Sequence, residues 1–230
     1  MTEAEESVTT VARATENGYE IALRRRRRGN QTTDELIVDG VFAMDSRSTA
    51  SEVALADAVG PVPGRVLVGG LGLGFTAAAL LDRGAAHLDV VELSQSLIDW
   101  ARAGLAEPLA SLARDSRVAL HHGDVAAFLL DQPALPGLFG PWDAICLDID
   151  NGHDFLIHEA NAPLYTVDGI RRALGHLNSG GKLALWSQGP SKNFWFDLVS
   201  LDPGATERLV PVDRHNRRID YAIYTLSRLD

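Results

Sequence analysis

The chain has 230 residues, of which 46% are hydrophobic and 23% charged, a composition typical of one globular domain. Its net charge of -10 argues against general nucleic-acid binding, because contacts with phosphate need basic faces. No stretch approaches the roughly 18 apolar residues of a membrane span, and the single cysteine, Cys146, has no partner for an intrachain disulfide, so we expect a cytoplasmic protein without membrane contacts.

The first 60 residues predict a small β unit followed by a linking helix. Residues 1–17 are polar and without periodicity, and we expect a flexible N-terminus there. Residues 18–60 contain three predicted strands and one predicted helix: Tyr19–Leu23, Glu35–Val38, Val41–Met44 and Ser51–Val59. Five consecutive arginines, Arg24–Arg28, are typical either of a solvated loop or of a surface for an anionic partner.

Residues 61–230 predict a nucleotide-binding catalytic domain in which strands and helices alternate. The predicted strands are Arg65–Val68, His87–Val91, Arg117–Leu120, Asp143–Leu147, Lys182–Trp186, Arg208–Val212 and Tyr221–Ser227. The predicted helices are Phe75–Arg83, Ser94–Leu105, Val125–Asp131, Val167–Leu177 and Ser191–Ser200. Buried strands that alternate with helices indicate an α/β fold with a doubly wound, mostly parallel, seven-stranded Rossmann-like sheet, as in class I methyltransferases.

A glycine-rich turn joins the first strand of this domain to its first helix. The strand runs through Gly69 into Gly70, Gly72 and Gly74, and the helix follows at once. Glycines let the backbone turn tightly and let a ligand approach the free N–H groups at a helix start. Dinucleotide sites prefer the spacing G-x-G-x-x-G, whereas this G-x-G-x-G spacing favours an S-adenosylmethionine-type nucleotide. A merely tight strand-to-helix turn is the alternative.

Three acidic residues follow successive strands and should line the same crevice as the glycine turn. Glu92 ends the second strand, where an acid can accept hydrogen bonds from ribose hydroxyls, and Asp124 follows the third strand, within reach of an adenine amino group. Asp148 ends the fourth strand, where a carboxylate can orient an amine and accept its proton. The alternative for each residue is a helix cap or a turn.

The residues after the fourth strand suggest where an acceptor molecule binds. We assign Asp150 and Asn151 to substrate binding, together with the aromatic residues Tyr165 and Trp186, for which core packing is the alternative. The acids of this segment can also ligate a hard cation, but strand ends of doubly wound folds often collect acids without a metal, and we expect none. Cys146 is interpreted as a buried apolar filler.

From about residue 35 to residue 190, the chain resembles the spermidine synthase (polyamine aminopropyltransferase) family and its bacterial relatives. The segments that carry the likeness are Leu36–Val41, Glu52, Gly69–Gly74, Asp143–Asp148, Asn161–Tyr165 and Trp186–Pro190. The resemblance implies transfer of an aminopropyl or other alkyl group from S-adenosylmethionine or its decarboxylated form to a small amine. It also implies that Glu92 binds the ribose and that Asp124 binds the adenine end of the nucleotide. It further implies that Asp148 is the catalytic acid and that the protein is a homodimer.

The chain departs from the family pattern at positions that contact the substrates. The family's glycine motif usually contains an aspartate that contacts the aminopropyl amine, whereas this chain has Leu71 and Leu73 in the turn. Ala50 and Ser51 replace the tyrosine and histidine that precede the family glutamate. These differences would suit another acceptor, or a methyltransferase that uses S-adenosylmethionine itself. A nicotinamide oxidoreductase and a non-catalytic nucleotide-binding paralogue are further alternatives.

Overall fold

The computed structural model describes residues 6–16, 18–62, 64–131, 135–149, 152, 156, 158–214 and 217–229. The chain forms two sheets, a four-stranded antiparallel sheet near the N-terminus and a seven-stranded, mostly parallel sheet with helices on its faces. The predicted α/β fold with a small N-terminal β unit is thereby confirmed. No helix among these residues is both long and apolar enough to span a membrane.

The N-terminal sheet has the strand order β1-β2-β3-β4. Its strands are β1 (Glu6–Glu16), β2 (Tyr19–Arg28), β3 (Gln31–Val38) and β4 (Val41–Asp45). Residues 6–16, for which we expected a flexible tail, pair with β2 along their whole length. The reason is a run of valine and threonine, which favour strands, and the packing of Val11, Ala12 and Ala14 against the core.

The arginine run lies within strand β2, so the interpretation as a solvated loop is wrong. The antiparallel register places Arg24 opposite Glu35 and Arg25 opposite Asp34. Arg24 and Arg26 each form an ion pair with Glu35, at 3.0 and 2.7 Å, and Arg25 binds Asp34 at 2.6 Å. Cross-strand pairs of opposite charge stabilise a sheet, and here two carboxylates pair with three of the five arginines.

The large sheet has the order β10-β11-β9-β8-β5-β6-β7. Its strands are β5 (Arg65–Gly69), β6 (His87–Glu92), β7 (Val118–His122), β8 (Trp142–Leu147), β9 (Leu177–Ser187), β10 (Thr206–Arg214) and β11 (Arg217–Ser227). The first strand, β5, lies between β6 and β8, so the winding of the chain reverses between β5 and β8. Doubly wound sheets bind their ligands beside such a switch point.

Seven α-helices and one 3₁₀ helix connect or cover the strands in the described part of the chain. They are α1 (Ala50–Val59), α2 (Phe75–Asp82), α3 (Gln95–Ala103), α4 (Leu109–Arg114), α5 (Val125–Leu129), the 3₁₀ helix Glu159–Tyr165, α6 (Val167–Gly175) and α7 (Lys192–Leu201). Helix α1 packs against α2 and strands β9 to β11, so the linking helix belongs to a layer of the large sheet. A hydrophobic core lies on each face of the large sheet. In β5, Val66 and Val68 belong to one of these cores and Leu67 belongs to the other.

A buried carboxylate joins the middle strands on the side away from the glycine turn. Asp89 of β6 is only 1% exposed, and it binds the guanidinium of Arg65 at 2.7 Å. The indole Nε1 of Trp142 donates to Asp89 at 2.8 Å, and His121 Nε2 lies 2.9 Å from its other oxygen. Burial by itself would raise the pKa of Asp89, but these partners outweigh it and hold the pKa below its ordinary value.

Candidate functional site

A cavity of about 220 Å³ lies at the carboxyl ends of β5, β6, β7 and β8. The structure brings together in its lining six of the residues predicted from the sequence: Gly70, Gly72, Glu92, Asp124, Asp148 and Trp186. These residues follow different strands, and they meet because parallel strands end at one edge of the sheet. The N-terminal sheet covers the same cavity with residues of β1 to β4.

Gly70 and Gly72 line the cavity with positive φ angles of 88° and 50°, a conformation that favours glycine. A Cβ at Gly70 would lie 2.3 Å from the backbone oxygen of Asp148, and one at Gly72 would lie 2.7 Å from the sulfur of Met44. The glycine at 70 therefore lets β5 and β8 end side by side. Gly72 makes room for Met44 of β4.

The two other predicted glycines are not among the described residues that line the cavity. A Cβ at Gly69 would lie 2.8 Å from the side chain of Leu147, and one at Gly74 would lie 2.5 Å from Leu112. Gly74 also begins helix α2 with a φ of 89°. Their lack of a side chain therefore serves packing beneath the turn.

Glu92, at the end of β6, is held by backbone N–H groups on both sides. Leu71 of the glycine turn donates to Oε2 at 2.8 Å, and Ser94 donates to Oε1 at 2.8 Å. Burial raises the pKa of Glu92, and these hydrogen bonds oppose the rise. The N–H groups of Gly72 and Leu93 also oppose the rise, so the carboxylate faces backbone donors of the glycine turn and of the segment that precedes α3.

Asp124 combines a structural contact with a place in the cavity. Its Oδ1 accepts a hydrogen bond from the N–H of Ala127 at 3.0 Å, so it caps the N-terminus of helix α5. The residue also lines the cavity beside Val125. The capping and the ligand-binding interpretations are therefore compatible with each other.

Asp148 lies directly after β8, where its N–H donates to the carbonyl oxygen of Gly69 at 2.9 Å. Burial and the nearby charge of Glu52 raise the pKa of Asp148 to about 7, and the Thr76 hydroxyl, 3.2 Å from Oδ2, opposes this rise. Glu52 comes from helix α1, and the hydroxyl of Ser51 donates to its Oε2 at 2.7 Å. Two carboxyl groups thus face the cavity, and the charge of Glu52 disfavours ionisation of Asp148.

The N-terminal sheet supplies residues that the sequence did not indicate as part of a site. Glu16 at the end of β1 and Tyr19 at the start of β2 both line the cavity. The ring of Tyr19 meets His158 edge to face, with 4.7 Å between the ring centroids, and His158 also lines the cavity. No local pattern marks these residues, because they reach the cavity only through the position of the whole sheet.

The described lining of the cavity is acidic. Its carboxyl groups belong to Glu16, Glu52, Glu92, Asp124 and Asp148. Neither lysine nor arginine occurs among the described lining residues, in which His158 is the one basic side chain. An enclosed site of this kind attracts cations and disfavours anions.

The residues that were predicted to bind the acceptor molecule lie in different places. Trp186 lines the cavity and also a neighbouring chamber of about 40 Å³, whose other polar lining residues are Ser48, Ser51, Glu52, Gln188 and Tyr221. Tyr165 packs against Phe194 in the core, 6.1 Å between ring centroids, and is not among the described lining residues. Asp150 and Asn151 lie outside the described residues.

Cys146 takes no part in the site. Its thiol is buried near the carboxyl end of β8, and burial raises its pKa to about 12. A thiol with such a pKa is protonated at neutral pH and is a poor nucleophile. The interpretation of Cys146 as an apolar filler agrees with this environment.

The sequence matches no family model and no curated protein. Solved structures, in contrast, share its fold. A crystal structure of spermidine synthase from Thermotoga maritima superposes with a TM-score of 0.70 and 14% identity, covering 95% of this chain and 72% of that one. A crystal structure of spermidine synthase in complex with the transition-state analogue AdoDATO gives a TM-score of 0.69 and 15% identity over the same shares. The chain therefore has a spermidine synthase-like fold.

Proposed function

We propose that the protein is a transferase that moves an aminopropyl group from decarboxylated S-adenosylmethionine to a small amine. The observation that carries the proposal is the Asp148 carboxyl, with a pKa of about 7, beside Glu52 in an acidic cavity at the switch point. The spermidine synthase-like fold supports the same assignment. The nucleotide would occupy the cavity with its ribose at Glu92 and its adenine near Asp124.

The acidic lining supports the decarboxylated donor. This donor has two cationic groups, a sulfonium and an ammonium, and no carboxylate. S-adenosylmethionine itself would bring a carboxylate into a cavity that already holds Glu52 and Asp148, and burial of a like charge there is unfavourable. We therefore expect the decarboxylated nucleotide to bind at least about tenfold more tightly, a difference of about 1.4 kcal/mol.

In the proposed reaction, Asp148 prepares the acceptor. An alkylammonium loses its proton only near pH 10, and the protonated form has no lone pair for attack. The carboxylate of Asp148 attracts and orients the ammonium and accepts its proton. The amine nitrogen then forms a bond to the carbon next to the sulfonium, the carbon–sulfur bond breaks, and its electron pair returns to sulfur as a thioether. Loss of such a proton acceptor costs about 10²–10⁴-fold in rate.

Methyl transfer from S-adenosylmethionine is a second candidate, favoured by one feature of the glycine turn. Leu71 and Leu73 are buried, and they stand in the segment where the related family has an aspartate for the aminopropyl amine. Without that aspartate, the chain lacks one contact that would favour binding of the aminopropyl amine. The donor preference distinguishes the two candidates, because aminopropyl transfer requires the decarboxylated nucleotide, whereas S-adenosylmethionine carries an aminocarboxypropyl group in place of the aminopropyl group.

Calorimetric titration with 5′-methylthioadenosine, S-adenosylmethionine and decarboxylated S-adenosylmethionine tests the donor. Tighter binding of the carboxylated form would reverse the assignment in favour of methyl transfer. Turnover with a panel of amines then compares wild type with Asp148→Asn, which should keep nucleotide affinity within a few-fold and lose activity. Asp143→Asn is the matched control, since Asp143 lies on β8, the strand that Asp148 follows, and accepts hydrogen bonds from the N–H of Arg65 and the amide of Asn178. Equal activity of both variants would remove the catalytic role of Asp148.

A further inference from the structure

Helix α3 is held at both ends by side chains of the N-terminal sheet. At its start, the carboxylate of Glu16 accepts hydrogen bonds from the hydroxyl of Ser94 and from the N–H of Ser96, both at 2.8 Å. Just beyond its end, Arg25 donates to the carbonyl oxygen of Leu105 at 2.9 Å. A negative group at the start and a positive group at the end of a helix both complement its dipole. The sheet therefore fixes the position of α3.

The contact at Glu16 continues to Glu92 through one residue. Ser94 caps helix α3 with its hydroxyl oxygen, which accepts from the N–H of Leu97 at 3.1 Å, and it donates its hydroxyl hydrogen to Glu16. The backbone N–H of the same serine donates to Oε1 of Glu92. The orientation of Ser94 thus determines the cap of helix α3 and the position of one N–H group that donates to the Glu92 carboxylate.

Glu16 is suited to this role by its charge and its place. Burial would raise the pKa of Glu16, but the hydrogen bonds from Ser96 and Ser94 outweigh it and lower the pKa, so the group is ionised at neutral pH. It lines the cavity, as do Glu92 and Leu97. A charged acceptor binds hydroxyl and N–H donors about twice as strongly as a neutral one.

We propose that Glu16 is a positioning residue of the nucleotide site, which holds Ser94 so that the Glu92 carboxylate is oriented toward the ribose hydroxyls of the ligand. The proposal rests on the proposed function, since it takes Glu92 as the group that binds ribose. It makes strand β1, a part of the separate N-terminal sheet, necessary for full nucleotide affinity.

The test compares two variants, each of which removes the side-chain contacts of the N-terminal sheet at one end of α3. Glu16→Ala removes the contacts to Ser94 and Ser96, and the control Arg25→Met removes the contact to Leu105 together with the ion pair to Asp34, while keeping the aliphatic stem. Each variant is titrated with 5′-methylthioadenosine and with its 2′,3′-dideoxy analogue, which lacks the hydroxyls. Urea unfolding measures the stability of each variant. Should Glu16→Ala fail to fold, Glu16→Gln replaces it in the comparison, because the amide keeps one acceptor oxygen.

Glu16→Ala should weaken binding of 5′-methylthioadenosine about tenfold and binding of the dideoxy analogue less than twofold, and Glu16→Gln should lie between wild type and Glu16→Ala. Arg25→Met should lower the urea midpoint and leave both affinities within twofold. Equal losses for the two nucleosides, or equal losses in the two variants, would overturn the proposal and leave Glu16 a structural support. Failure of the wild-type protein to bind 5′-methylthioadenosine would overturn the proposed function as well.

Discussion

Replacement of Asp148 by asparagine should stabilise the unliganded protein, and more strongly at alkaline than at acidic pH. Folding raises the pKa of this carboxyl from the ordinary 3.8 to about 7. A group whose pKa is higher in the folded state favours folding while it is protonated, and that advantage disappears as the pH rises through the folded pKa. Above pH 7 the folded protein therefore holds a carboxylate that the unfolded chain hydrates better.

The magnitude follows from the distance between the two pKa values. Each pH unit corresponds to about 1.4 kcal/mol. The interval from 3.8 to about 7 therefore means that ionised Asp148 lowers the free energy of unfolding by on the order of 4 kcal/mol at pH 8. At pH 5 only the interval from 3.8 to 5 counts, which is roughly 1.6 kcal/mol. Both values are upper bounds, because movement of the side chain or entry of water restores part of the hydration.

Urea unfolding of wild type and Asp148→Asn at pH 5 and pH 8 measures this difference without any knowledge of the acceptor. The gain in unfolding free energy should be larger at pH 8 by about 1–2.7 kcal/mol. Asp143→Asn serves as control and should lower stability, since Asp143 is a hydrogen-bonded structural carboxylate. If Asp148→Asn instead lowers stability equally at both pH values, Asp148 is a structural turn residue and not a buried catalytic carboxyl with a raised pKa.

Further predictions concern the nucleotide, the glycine turn, the core and assembly. Glu92→Ala should weaken binding of 5′-methylthioadenosine by about 1.5–3 kcal/mol, the loss of charged hydrogen bonds; an unchanged calorimetric Kd would place the ribose elsewhere. Gly70→Ala should abolish binding because its Cβ would lie 2.3 Å from the Asp148 carbonyl, whereas Gly84→Ala, at a similar φ of 90° in open space, should cost only stability. Asp89→Asn should lower unfolding free energy by about 3–5 kcal/mol at pH 7, with the difference shrinking below pH 4 because the lowered pKa of Asp89 stabilises only where the unfolded chain is ionised. Light scattering should report the homodimer that the family resemblance implies, and a monomer at micromolar concentration would contradict it.

Local sequence patterns predicted much of the fold. Strands β5 to β9 and their helices were predicted because apolar periodicity, glycine stops and cap residues act within a few positions of each other. Two short elements were missed, α4 after Pro108 and the 3₁₀ helix that contains Pro163, because elements of 6 and 7 residues are too short to show a clear period. The Arg24–Arg28 run was misread as a loop, because its acidic partners lie on the next strand.

For the candidate site, the sequence by itself determined which acids end which strands. Parallel strands order their carboxyl ends along one edge, so Glu92, Asp124 and Asp148 had to meet. Only the tertiary structure decided that Glu52 raises the pKa of Asp148 and that Glu16 binds Ser94, whose N–H donates to Glu92. These contacts link residues that are far apart in the chain, and their geometry depends on how the N-terminal sheet and helix α1 pack against the large sheet. Such packing is set by the shapes of whole surfaces, which no short stretch of sequence encodes.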